Sequence, residues 1–121
     1  MTVRRCIDPD AWQSVLDLAP EGEQAAFVTE LVGMLAELAP ELISAMRADL
    51  ARGDAAGLRY HAHKLKGCSV NLGASRLAEL CQELESEAAA GRLPADPSVL
   101  AALESLYGET SRELAELCAA A

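Results

Sequence analysis

Apolar residues return every three or four positions through most of this chain, and that period limits what it can fold into more than any other feature. Between Gly22 and Arg52 the series Phe27, Leu31, Met34, Leu38, Leu42, Met46 and Leu50 keeps it. Towards the C-terminus Leu100, Leu103, Tyr107, Thr110, Leu114 and Leu117 keep it again. A 3.6-residue helix gathers such a series into one stripe, whereas a strand would scatter it over both faces. Each stripe needs another to cover it, so the chain is predicted to be all-α and to pack as a bundle. Ala, Leu and Glu, all strong helix formers, supply much of the sequence.

Prolines, glycines and aspartates punctuate these stripes. Asp8-Pro9 has the form of a cap followed by a first-turn proline, opening a short helix through Trp12, Val15 and Leu16 towards Pro20. The long helix after Gly22 is expected to be interrupted or kinked at Pro40. Asp54 caps a third segment ending near Gly73, and a fourth carries Leu77, Leu80, Cys81, Leu84 and Ala88 before Gly91 stops it. Asp96-Pro97 repeats the cap-and-proline start for the last helix, in which Gly108 is a weak point. Predicted helices thus span about 8–18, 22–52, 54–73, 75–90 and 97–119. Short connections favour antiparallel neighbours, which gives an up-down four-helix bundle with a short additional N-terminal helix across one end. Its 121 residues form one domain, 1–121, long enough to bury a working core.

Charge and cysteine usage remove several classes of function. A net charge of −9 would repel nucleic acid. Cys6, Cys68, Cys81 and Cys118 are widely spaced, form no C-x-x-C pair and read as reduced core fillers. No apolar run reaches the length of a membrane span, and Met1 to Arg5 leads into no signal-peptide core, so a soluble cytoplasmic protein is expected. Gly-rich phosphate loops, Ser-His-Asp sets and dinucleotide fingerprints are missing, which leaves no site for ATP.

The third helix carries the chemistry. Wound at about 100° per residue, Leu58, Leu65 and Leu72 fall on one side, with Ala62, Ser69, His61 and Cys68 on its shoulders. Arg59, Tyr60, His63, Lys66, Gly67 and Val70 fall opposite, facing water or a partner. His61 and His63 lie about 200° apart and cannot share a metal ion, and the Glu-x-x-His pattern of di-iron bundles is missing. Glycine inside a helix costs about 1 kcal/mol relative to alanine, so Gly67, one turn after His63, is expected to clear space above the imidazole. Lys66 offers a phosphate-binding cation at the same level. On the fourth helix Glu85 sits about 80° round from the Leu77–Leu84 stripe, on a shoulder from which it reaches a neighbouring helix. If that neighbour carries His63, the carboxylate accepts from Nδ1–H and leaves Nε2 free.

Ala62, His63, Leu65, Lys66, Gly67, Leu72, Gly73 and Ala74, continued by Leu77, Leu80, Cys81, Leu84 and Glu85, form a pattern that resembles the histidine-containing phosphotransfer domains of multistep phosphorelays. Residues 58–88 carry the specific pattern, and the layout extends from Ile7 to the C-terminus. That family often has glutamine or glutamate at the Glu85 position, and the phosphotransfer domain of chemotaxis kinases has glutamate. The resemblance implies a phosphocarrier and not an enzyme. His63 would accept a phosphoryl group from a receiver-domain aspartate and pass it to another receiver, with Lys66 as phosphate ligand and Glu85 as orienter. It implies response-regulator receivers as partners, with a hybrid histidine kinase as a further candidate, and Mg²⁺ supplied by the receiver with no cofactor or metal in this chain. Arg59, Tyr60, Lys64, Gly67 and Val70 would form the partner-binding face of a monomer, with Ala56 at its edge. Direct phosphorylation by a kinase core and a non-catalytic helical adaptor are the alternatives.

Overall fold

A computed structural model describes residues 5–121. The reading of the first residues as no signal-peptide core therefore lies outside the described residues, except at Arg5. Five helices follow one another: α1 (Pro9–Asp17), α2 (Gln24–Arg52), α3 (Ala55–Asn71), α4 (Ser75–Ala89) and α5 (Ser98–Ala120). No strand occurs among the described residues. Helices α2 to α5 form the bundle. Helix α3 lies between α2 and α4, and α5 closes the ring against α2 and α4.

The boundaries follow from their end groups. Asp8 accepts from the Ala11 N–H at 3.2 Å with Pro9 beginning the helix, and Asp54 accepts from the Gly57 N–H at 2.9 Å. At α5 the proline falls one place earlier than expected: Pro97 is the cap, and Asp96 accepts from the Ser98 N–H at 2.9 Å. Helix α2 runs unbroken through Pro40, contrary to an interruption. Pro40 and Ala36, whose carbonyl loses its partner there, are both exposed, so water can replace the missing bond.

Most expected stripes are the buried ones: Leu58, Ala62, Leu65 and Ser69 on α3, Leu77, Cys81, Leu84 and Ala88 on α4, and Leu100, Leu103, Thr110 and Leu114 on α5. Burying each leucine contributes about 1.5–3 kcal/mol. In the first half of α2 the core face lies about 100° round from the expected one. Val28, Leu35 and Ala39 are buried, while Met34 is 53% and Leu38 36% exposed. Two apolar stripes compete in that half-helix, and the bundle covers only one. Met34 and Leu38 instead line a shallow apolar groove with Leu31, Cys68, Asn71 and Leu72.

Helix α1 packs over the α3–α4 turn. Trp12 and Val15 enter the core, and the Asp8 N–H donates to the Gly73 carbonyl at 2.8 Å. Gly73 is required twice over. Its φ of 73° lies in the left-handed region, and a Cβ there would stand 3.0 Å from the Ala11 Cβ. Glu113 of α5 accepts from the Cys6 and Ile7 N–H groups at 2.9 and 3.2 Å, which fixes the approach to α1.

Candidate functional site

The turn at Leu72–Ala74 folds α4 back along α3, so residues equidistant from it meet. His63 and Glu85, 22 residues apart, face each other across it, and so do Lys66 and Gln82, 16 apart. His63 Nδ1 lies 2.9 Å from Glu85 Oε1. Lys66 Nζ donates to Gln82 Oε1 at 2.8 Å and lies 2.8 Å from Glu85 Oε2, an ion pair short of the angle of a directed hydrogen bond. Gln82 in turn donates from Nε2 to Ser86 Oγ at 2.9 Å. One connected row therefore runs His63, Glu85, Lys66, Gln82, Ser86.

Electrostatics fix the imidazole tautomer. Lys66 beside it holds the Glu85 carboxyl below the usual carboxylate range; burial opposes this and His63 adds to it. An ionised carboxylate only accepts, so Nδ1 carries the proton and a neutral His63 keeps its lone pair on Nε2. The His63 side chain is 65% exposed against 15% for Glu85, so an anchored ring presents its free nitrogen to solvent. Beneath the row, burial pushes the Cys81 thiol up to about 12, with Lys66 lowering it and Glu85 raising it. That thiol is held in its protonated form near neutral pH.

The expected partner face stays together. Tyr60 and Val70 are 57% and 59% exposed, Arg59 and Gly67 are exposed, and Lys64 Nζ stands over the Tyr60 ring at 5.2 Å from its centroid. A Cβ added at Gly67 would meet nothing within 4 Å, so no neighbouring helix requires this glycine. Lys66 departs from the expected picture. It is drawn off the open face onto α4, because the carboxylate of Glu85 and the amide oxygen of Gln82 both lie within its reach. A groove of about 530 Å³ opens beside His63, lined by Ala56, Arg59, Tyr60, Glu85, Ala88, Ala89 and Gly91.

The matches to known proteins point the same way. Residues 30–120 match the family model described as Hpt domain. The chain belongs to the Hpt domain family. Among solved structures it is similar to histidine-containing phosphotransfer protein B (HptB) from Pseudomonas aeruginosa PAO1, at 27% sequence identity and a TM-score of 0.79, over 98% of this chain and 99% of that one. A search among curated protein sequences found no match. Histidine phosphotransfer within phosphorelays is accordingly the function of this Hpt domain. Among the described residues no helix is long and apolar enough to cross a membrane, and no three His, Cys, Asp or Glu side chains group as a metal site would need.

Two polar partners escaped the sequence reading. Gln82 was detectable, since the hairpin register that pairs His63 with Glu85 also pairs Lys66 with Gln82. Asp49 was not. It is fully buried on α2, and its Oδ2 lies 2.5 Å from His61 Nδ1.

Proposed function

We propose that His63 is the phosphoacceptor and that Glu85 is its orienting base partner. The observation that carries this reading is the 2.9 Å contact from Nδ1 to Glu85, which leaves Nε2 as the open nucleophile. A phosphorylated receiver would present its aspartyl phosphate to this face. Nε2 forms the P–N bond, the P–O bond to the aspartate breaks, and its electron pair leaves with the aspartate carboxylate. The Nδ1 proton stays in place, so the ring becomes a cation opposite Glu85. Reversal onto a second receiver's aspartate completes the carrier cycle, with Mg²⁺ supplied by the receiver. Phosphoryl transfer depends mainly on positioning and charge, so an oriented imidazole is most of what the carrier has to provide.

Lys66 holds Glu85 ionised and in place, and its direct reach to phosphate is limited by that engagement. Arg59, Tyr60, Lys64, Gly67 and Val70 form the docking face, and Gly67 leaves it clear where a side chain would lean back over the His63 turn. Incubation with a panel of phosphorylated receivers tests this reading. Acid-labile, base-stable label should appear on the protein and vanish in His63→Gln; label persisting in that variant would overturn it. A carboxylate in place of an amide at position 85 favours one second reading, direct phosphorylation by a kinase core. Parallel incubations with kinase cores and ATP separate the two.

A further inference from the structure

Among the described cations near His63, Arg59 alone is without a partner. Lys66 is held by Glu85 and Gln82, and Lys64 rests over the Tyr60 ring. Arg5, Arg76 and Arg112 line a separate cavity with Glu109, Glu113 and Glu116. Arg59 is exposed, has no ion-pair or hydrogen-bond partner among the described residues, and lines the same groove as His63.

Helix geometry brings the two side chains together. Arg59 and His63 are four residues apart on α3, and helical side chains lean towards the N-terminus, so the His63 ring inclines over the turn that holds Arg59. The groove wall beyond them is Ala56, Ala88, Ala89 and Gly91, which leaves room for a tetrahedral group and an approaching donor. Charge balance gives the second argument. With a neutral imidazole, His63, Glu85 and Lys66 sum to zero. A phosphoryl group adds two negative charges and the ring gains one positive, which leaves the set one charge negative. One further cation restores neutrality, and Arg59 is the one at hand.

We propose that Arg59 is the phosphoryl-binding residue of this domain, its guanidinium meeting the oxygens of the group carried on His63 Nε2, while Lys66 serves Glu85. This rests on His63 being the phosphoacceptor. A planar fork of donors suits phosphate oxygens and carries a charge that does not titrate in the working range.

Phosphoramidate tests the assignment without a partner protein. Nε2 forms its P–N bond as the donor's P–N bond breaks, and the departing electron pair leaves with nitrogen as ammonia. Full-length wild type, Arg59→Ala, Arg59→Lys and His63→Gln would be compared by ³¹P NMR for rate of phosphohistidine formation, chemical shift and half-life. Loss of about tenfold in rate in Arg59→Ala, a displaced ³¹P resonance and partial recovery in Arg59→Lys are expected. Wild-type rate and resonance in Arg59→Ala would overturn the proposal, as would a defect confined to transfer from receiver proteins, which would make Arg59 a docking residue only. Label that forms equally in His63→Gln would instead overturn the phosphoacceptor reading on which the proposal stands.

Discussion

His61 and His63 stand two residues apart on one helix, and each points Nδ1 at a carboxylate on a neighbouring helix, α2 for His61 and α4 for His63. Their surroundings make them opposites. The partner of His61 is Asp49, fully buried and also 2.8 Å from the Arg52 guanidinium. Its Oδ1 lies 2.5 Å from where a Cβ on Gly57 would stand, so a glycine is needed for α3 to approach it. That set ties the end of α2 to the start of α3. His63 meets Glu85 at the rim, where the imidazole is 65% exposed and its other nitrogen is open. The same pair of groups locks a hairpin when enclosed and, when one side is left to solvent, suits the phosphoacceptor role proposed for His63.

Exchange of roles between the two histidines would break this comparison most directly. His63→Gln should abolish phosphohistidine while leaving thermal unfolding within about 0.5 kcal/mol of wild type, as expected for an exposed position. His61→Ala should do the reverse. It leaves Asp49 buried with only Arg52, at a cost of about 1–3 kcal/mol, and lowers Tm by several degrees while label still forms at temperatures where the protein is folded. Circular dichroism melting and receiver labelling on both variants decide the matter. A wild-type melt for His61→Ala together with lost labelling would invert the assignment.

Smaller effects sharpen the His63 side. Glu85→Ala releases the ring from its tautomer, and the transfer rate should fall about tenfold with little change in docking. Glu85→Gln keeps an acceptor for Nδ1–H and should recover most of that loss. Equal rates in wild type and Glu85→Ala would remove Glu85 from the mechanism. Gly67→Gln should fold as wild type, because the space there is open, yet slow transfer from receivers severalfold by crowding the approach to His63. Unchanged kinetics would show that partners do not pass over Gly67.

How far the sequence revealed this molecule depends on whether local period or three-dimensional register carried the information. Helix existence, the Asp8 and Asp54 caps, the outward direction of His63 and the Glu85 shoulder all follow from spacing along one helix, and all appear in the fold. The failures lie where two helices or two stripes must be compared. Met34 and Leu38 belong to an apolar stripe indistinguishable in period from the one that became core. Lys66 lies on the open face by angle alone, but a long flexible side chain follows its counter-charge, and Glu85 and Gln82 became its neighbours only when the hairpin closed. Asp49 sits at the end of the α2 stripe, where a carboxylate is expected to face water. Arg52 is one turn along the same helix, but the burial of Asp49 also depends on Gly57 and His61 arriving on α3.

The smallest expected effect isolates what Lys66 does for the open pair. The close contact of its ammonium with the carboxylate is the largest cause of the lowered Glu85 pKa, ahead of opposing burial and of His63. A carboxyl whose folded-state pKa lies below its ordinary 4.5 contributes stability that is present above that ordinary value and is lost as pH falls through the lowered one. In the wild type, then, the His63–Glu85 contact should persist through pH 4.5. In Lys66→Met the leading cause is gone, so the carboxyl should titrate at higher pH and the acid limb of stability should move up with it. A ¹³C-detected titration of the Glu85 carboxyl in both proteins measures this, with acid unfolding as the companion. An unmoved midpoint in Lys66→Met would mean that His63 alone keeps Glu85 charged, and Lys66 would then be free to be drawn away from the row by a bound phosphoryl group.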